Sequence, residues 1–242
     1  MGYDTPSAFI AVFKREMRYG QSEFAQTISV IRDDSGTVAR IVEQKDATAD
    51  EAAVNEINSG VYVFRAASLR TFLTKIDQDN AQGELYLTDV IGLLREAQET
   101  VAAEIAADTA ATFGVNDRVQ LAEAGRVLND RIVRRWQREG VTVVDPATTW
   151  IDDDAKLAPD VTLMPNTYIA GATVVESGAV IGPDTSLLDC EVGEDAVIRR
   201  SDATLAVIGA GATVGPFAYI RPGTVLGEKG KIGTFVETKN SQ

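Results

Sequence analysis

From residue 151 onward the chain repeats itself every six residues. Ile151, Leu157, Leu163, Ile169, Val175, Ile181 and Leu187 stand at strict six-residue spacing. A slip follows, Val192 and Ile198 resume the spacing, and after a second irregularity Ile208, Val214, Ile220, Leu226 and Ile232 carry it on. Six matches neither the helical period of about 3.6 nor the strand period of about 2. A strand alternates its side chains between two faces. A chain that turns after every six residues therefore sends one aliphatic per turn into a narrow interior, and three such turns close a triangular coil of roughly 18 residues. Four residues after many of the aliphatics sits a small or slender residue: Ala155, Val161, Thr167, Thr173, Ala179, Thr185, Ala196, Ala212, Ala218 and Thr224. Glycine often follows the aliphatic directly, as at Gly182, Gly193, Gly209, Gly215 and Gly227. Such coils stack as parallel strands around one aliphatic column. An antiparallel sandwich would space its turn signals more widely and less regularly. The pattern predicts a parallel β-helix of hexapeptide repeats over residues 146–242.

Upstream the pattern is different. Two β-rich runs in "TISVIRDDSGTVARIVEQKDA" flank Asp34-Ser35-Gly36 and read as a hairpin. "INSGVYVF" (57–64) and "VAAEIAA" (101–107) read as strands. "AASLRTFLTKI" (66–76) has helical spacing, as does "ELYLTDVIGLLREAQ" (84–98), with Leu87, Val90, Ile91 and Leu94 on one side. Strands alternating with helices predict α/β architecture for residues 28–116. Residues 117–145 read as a linker helix and strand. Within "NDRVQLAEAGRVLNDRIVRRWQREG", Leu121, Ala124, Leu128 and Ile132 form a stripe, Arg134, Arg135 and Arg138 suit the negative end of the helix dipole, and Gly140 stops it. Residues 1–27 carry no chemical motif. There Phe9, Val12, Phe13 and Met17 share a helical face and Gly20 is placed to end it.

Composition narrows the chemistry. Lys and Arg number 23 against 36 Asp and Glu, a net charge of -13, so general attraction to nucleic acid or to an anionic membrane is disfavoured. The one cysteine, Cys190, allows no internal disulfide and fits a reducing compartment. The apolar run "AFIAVF" meets Lys14 and Arg15 at once, too short for a membrane span or a signal peptide. A cytoplasmic protein is expected. There is no histidine, which removes the commonest general base and every Ser-His or Cys-His mechanism. Carboxylates, lysine, backbone donors and a hard metal remain.

The series "VEQKDAT" (42–48), "EINSGVYVF" (56–64), "NAQGELYLTDVI" (80–91), "GVNDRVQLAE" (114–123), "GPFAYIRPGT" (215–224) and "FVETKNS" (235–241) resembles the bacterial family of bifunctional N-acetylglucosamine-1-phosphate uridyltransferases and glucosamine-1-phosphate acetyltransferases. The order and spacing of the motifs carry the resemblance, over about residues 30–242. It implies a partial, Rossmann-like nucleotidyltransferase domain that transfers uridylyl from UTP to the sugar phosphate with Mg²⁺. A left-handed β-helix follows, which forms a homotrimer and transfers acetyl from acetyl-CoA to glucosamine-1-phosphate. The joint product is UDP-N-acetylglucosamine for the cell wall.

By the same resemblance Glu43 accepts hydrogen bonds from sugar hydroxyls, Asn58 contacts the sugar nucleotide and Asn116 is an amide ligand to Mg²⁺. Arg221 and Lys239 hold the acceptor's phosphate, for which a guanidinium fork and an ammonium are fitting partners. The residues by themselves leave plainer readings open. Glu43 reads as part of a solvated charge cluster, Asn58 as a turn residue, Asn116 as a helix N-cap, and Arg221 as a corner with an exposed charge. Cys190 reads as a small buried or corner residue. Two other whole-chain readings are a different sugar-1-phosphate nucleotidyltransferase with a hexapeptide tail and a non-catalytic trimerisation module. The family's glycine-rich phosphate loop, its metal-sharing aspartate and its general-base histidine do not stand in these 242 residues, so the chain alone is expected to be an incomplete, catalytically silent piece.

Overall fold

The structure, a computed structural model, describes residues 8–14, 28–112 and 114–241. The chain divides into two compact units, Met1–Asn116 and Asp117–Gln242.

In the first unit β1 (Ala8–Lys14), β2 (Ser29–Arg32), β3 (Val38–Val42), the one-turn α1 (Ala49–Ala52), β4 (Glu56–Phe64), α2 (Ala66–Leu73), α3 (Asp89–Glu96) and β5 (Val101–Ile105) follow in order. The strands form one sheet, ordered β3-β2-β4-β1-β5. The helix expected around Phe9, Val12 and Phe13 is therefore a strand. β1 runs antiparallel to β4 and parallel to β5. The physical reason lies in "AFIAVF". An unbroken apolar run has no polar face for a surface helix but suits a strand with neighbours on both sides. Met17 and Gly20 lie outside the described residues.

The helix expected over 84–98 is shorter, Asp89–Glu96. Asn80 explains the difference. Its Oδ1 accepts the Gln82 and Glu84 N–H groups at 3.1 and 3.2 Å, and its Nδ2 donates to the Glu84 carbonyl at 2.6 Å, fixing a turn where the helix would start. Leu87 is left 41% exposed. Val90, Ile91 and Leu94 do pack inward, against Val30, Val38, Ile41, Phe72 and Val101.

The second unit opens with α4 (Arg118–Arg138). Its cap is Asp117, whose side chain accepts the Gln120 N–H at 2.8 Å, so Asn116 is not the capping residue. The expected stripe is corrected too. Leu121 and Leu128 are 59% and 56% exposed, while the buried face is Gln120, Asn129, Ile132, Val133 and Trp136. The C-terminal half of α4 lies over the first solenoid coil, and its central contact is a polar one. Asn129, 3% exposed, donates from Nδ2 to the Thr149 carbonyl at 2.8 Å and accepts the Ile151 N–H on Oδ1 at 3.1 Å. Trp150–Ile151 is the edge strand of its sheet. The carboxamide thus stands in for the missing neighbour strand.

Beyond α4 the chain is a parallel β-solenoid. Three sheets of six, five and six short strands run along it. Residues from successive coils pair in register, as in Ile151–Ile169–Leu187–Ala203–Ile220. The aliphatics of the repeat from Ile151 to Ile220 are all 6% exposed or less, and Leu226 and Ile232 are partly buried. The two irregularities are places where the step shrinks to five residues: Leu187 to Val192, then Ile198 to Ala203 to Ile208. At each short step the small residue stands three, not four, positions after the preceding inward residue. These are Cys190, Ser201 and Ala206, exposed 1%, 6% and 3%. Every small corner residue therefore precedes the next inward side chain by two, which the strand's two-residue alternation requires if both are to face inward. Cys190 is a corner residue of this kind.

Candidate functional site

In the first unit a cleft of about 430 Å³ opens beside the end of β3. Ile41 and Val42 are buried and hold Glu43, the next residue, at the cleft wall. A turn closes behind it, the Asp46 N–H donating to the Glu43 carbonyl at 3.0 Å. That turn is tied to the 80–84 loop. Asp46 Oδ1 accepts the Ala81 N–H at 2.7 Å, and Lys45 Nζ donates to Gln82 Oε1 at 2.8 Å. Tyr86, Thr88 and Asp89 complete the polar wall.

The electrostatics follow from the crowding of acids. Burial pushes the Glu43 carboxyl above its ordinary range, and Asp46, Asp89 and Glu84 push it further. Asp89 is raised by burial and then by Asp77 and Asp46. Thr88 is 6% exposed, and its Oγ1 has no hydrogen-bond partner among the described residues. It stands just before α3, where a threonine hydroxyl normally caps the helix, yet it makes no cap bond. A buried hydroxyl without a partner costs about 1–3 kcal/mol. The carboxylates and the Tyr86 phenol along this wall are groups able to exchange hydrogen bonds with hydroxyls.

Of the sequence-derived residues, Glu43 lines this cleft and Asn58 does not. Asn58 is 7% exposed on β4 at a two-residue bulge, where Val12 faces Asn58 and Ala11 faces Val61. Its Nδ2 donates to Tyr62 Oη at 2.5 Å. Burial raises the pKa of the Tyr62 phenol, the Asn58 bond opposes that, and the charge of Glu43 adds to the rise. Asn116 is exposed and does not line the cleft. One amide oxygen does not hold Mg²⁺ by itself. No group of three or more His, Cys, Asp or Glu able to hold a metal occurs among the described residues. Thr88 and Tyr86, which line the cleft, were missed by sequence reasoning, which placed both inside a helix. The one usable signal was a threonine next to the acidic first turn of a helix.

The second candidate lies on the solenoid. Tyr219 pairs with Glu237 and Ile220 with Thr238, and the Arg221 N–H donates to the Thr238 carbonyl at 3.0 Å. Arg221 and Lys239 therefore fall at one corner on adjacent coils. Arg221 Nη1 lies 2.7 Å from Glu237 Oε1, and its Cζ is 6.0 Å from the Tyr219 ring centre. Lys239 is exposed. Two cations at one corner, one of them already on a carboxylate, are suited to an anion.

No helix among the described residues is long and apolar enough to cross a membrane. No protein-family model matches the chain. Among curated proteins it is similar to the bifunctional protein GlmU of Clavibacter sepedonicus, 56% identical over 211 residues, covering 87% of this chain and 43% of that protein. The same named protein of Pseudarthrobacter chlorophenolicus is 57% identical over 211 residues, with 87% and 43% covered. That of Kineococcus radiotolerans is 56% identical over 212 residues, with 88% and 43% covered. The chain thus spans less than half the length of these relatives. Among solved structures, a mutant of perosamine N-acetyltransferase from Caulobacter crescentus, in complex with CoA and GDP-perosamine, is 19% identical with a TM-score of 0.32, covering 60% of this chain and 83% of that one. With its β-solenoid following a small α/β unit, and at these identities over 87% of its length, the chain belongs, across the shared span, to the family of bifunctional GlmU proteins.

Proposed function

We propose that the chain contributes sugar-binding and phosphate-binding groups to UDP-N-acetylglucosamine synthesis in the cytoplasm. One reaction is uridylyl transfer, in which a phosphate oxygen of N-acetylglucosamine-1-phosphate attacks the α-phosphorus of UTP and pyrophosphate leaves. The other is acetyl transfer from acetyl-CoA to the amine of glucosamine-1-phosphate. Mg²⁺ supplies charge neutralisation to the first reaction when bound, and Asn116 would be one ligand among others. The observation that carries the reading is the cleft lined by Glu43, Tyr86, Thr88 and Asp89. Glu43 accepts from sugar hydroxyls. On the solenoid, Arg221 and Lys239 would grip the phosphate of glucosamine-1-phosphate. The 242 residues contain no histidine, so they supply no imidazole base to either reaction.

A homotrimer through the solenoid belongs to the same reading. Its support is the exposed aromatic pair Phe217 and Phe235, 54% and 82% exposed and stacked with centroids 5.5 Å apart. Large exposed apolar side chains in contact with one another mark interaction surfaces.

Isothermal titration tests the binding claims. UDP-N-acetylglucosamine is expected to bind, and Glu43→Ala to weaken it at least about tenfold, the equivalent of one charged hydrogen bond. Glucosamine-1-phosphate is expected to bind through Arg221, and Arg221→Ala to abolish measurable heat. An absence of binding by the wild-type chain to both ligands overturns the reading.

A further inference from the structure

The turn after β3 and the loop before α3 are tied together, and one of the ties runs on to the cleft. Asn80 Oδ1 holds the Gln82 N–H at 3.1 Å. From that anchor the Gln82 side chain meets two partners. Lys45 Nζ lies 2.8 Å from its Oε1, and its Nε2 lies 2.7 Å from Tyr86 Oη. Tyr86 lines the cleft and Gln82 does not, so this last contact reaches the phenol from outside the cleft. The Lys45 contact settles the direction of the Tyr86 contact. An ammonium can only donate. The carboxamide must therefore turn its oxygen to Lys45 and its NH₂ group to Tyr86. An NH₂ group can only donate as well, so the phenol oxygen accepts, and the phenol's own hydrogen must turn away from Gln82. Among the described residues Tyr86 Oη has no hydrogen-bond partner besides Gln82. The phenol hydrogen is left for what enters the cleft.

The donors run one way, from Lys45 through Gln82 to the phenol, and hydrogen bonds in such a chain strengthen one another. We propose that Gln82, oriented by Lys45, is a positioning residue that makes the Tyr86 hydroxyl a fixed hydrogen-bond donor toward the cleft. This rests on the sugar-binding reading above and adds two residues and a polarity to it. Neither Lys45 nor Gln82 touches the ligand in this account. They act through Tyr86. The ionised Glu43 carboxylate can only accept, so the cleft wall offers an acceptor at Glu43 and a donor at Tyr86. A ligand with several hydroxyls satisfies both, because a hydroxyl donates and accepts. A ligand carrying only acceptors satisfies Tyr86 alone.

The test is Gln82→Glu in the full chain. The substitution keeps the size of the side chain and sets a carboxylate against the Lys45 ammonium, so the tie between turn and loop is kept. A carboxylate can only accept. The phenol must then donate to it, and its hydrogen leaves the cleft. In calorimetric titration with UDP-N-acetylglucosamine, affinity is expected to fall roughly five- to tenfold, with the unfolding midpoint of the first unit unchanged or higher. A merely structural tie would not give that split. Tyr86→Phe is expected to cost about as much affinity. The double variant controls for the added charge. With Tyr86→Phe in place there is no hydrogen to turn, and Gln82→Glu is expected to cost less than about twofold more. Wild-type binding with an unchanged affinity in either single variant overturns the inference and leaves the cleft reading standing. A loss from Gln82→Glu that persists in full beside Tyr86→Phe overturns it as well, because the new charge then acts on the ligand without Tyr86. No binding by the wild type overturns both.

Discussion

Replacing Asn129 with alanine is predicted to be the most damaging single polar change in the second unit. The side chain sits 3% exposed between α4 and the first coil, with one donor and one acceptor each committed to a backbone group. Ile151 and Thr149 have no strand on that side among the described residues, because Trp150–Ile151 is the sheet edge. Alanine leaves the Ile151 N–H and the Thr149 carbonyl without their partner in a buried place. Each such group costs about 1–3 kcal/mol, so the expected loss is about 2–6 kcal/mol, a large part of a typical total of about 5–15 kcal/mol. For a unit of this size about 1 kcal/mol moves Tm by roughly 3–5 °C, so a fall of at least about 6 °C is expected. Asn129→Asp keeps the acceptor but sets a carboxylate oxygen against the Thr149 carbonyl, and is expected to be no better than alanine. The assays are thermal unfolding by circular dichroism and hydrogen exchange at the Ile151 amide, which should lose its protection before the inner coils do. A Tm within about 2 °C of wild type, with Ile151 exchange unchanged, would refute the idea that this carboxamide substitutes for a strand.

Three further outcomes follow from the same geometry. Gly209→Ala places a Cβ 2.7 Å from the Glu228 backbone nitrogen of the next coil, whereas Gly227 has nothing within 4 Å. The first change is expected to destabilise by about 1–3 kcal/mol or more and the second by at most about 0.5 kcal/mol, which denaturant melts compare directly. Cys190 is 1% exposed and burial raises its thiol pKa, so a thiol reagent should react only as fast as the solenoid opens, and fast modification in the folded state would contradict its corner position. Glu43 is raised in the folded state. Its contribution to stability is therefore present below the ordinary carboxylate range and lost as pH climbs through the raised value. Glu43→Gln should gain stability relative to wild type as pH rises above the ordinary carboxylate range of about 4, and pH-dependent melts showing no such gain would contradict the acid-crowded cleft.

How much of this was legible in the sequence differs between the two units. The solenoid was, because one steric rule repeats: an aliphatic faces inward at each turn and a small residue precedes it by two. Counting forward from the previous aliphatic hid Cys190, Ser201 and Ala206. Counting backward finds all three, because the constraint comes from strand alternation rather than from coil length. Helix α4 was legible in extent and not in orientation. Hydropathy sees Leu121 and Leu128, but the packed face is organised around Asn129, whose value lies in hydrogen bonds that no apolar pattern records. β1 was misread because helical spacing can be found in almost any dense apolar run, and only its neighbours β4 and β5 settle that it is a strand. In the cleft, Glu43 came from a motif. Thr88 could not, since its significance is a missing hydrogen bond, which exists only once the chain is folded. The Asn58–Tyr62 contact needed the bulge at Ser59-Gly60, and "NSG" announces a turn without saying what that turn brings together.

The central claim is that the first unit reads a sugar nucleotide through the cleft at Glu43 and Thr88. A ¹H–¹⁵N titration of the whole chain with UDP-N-acetylglucosamine tests it most directly. The account predicts saturable shifts concentrated at Glu43, Tyr86, Thr88 and Asp89, lost in Glu43→Ala with Thr88→Val. Saturable shifts confined to other surfaces, or none at ligand concentrations in the millimolar range, would contradict it.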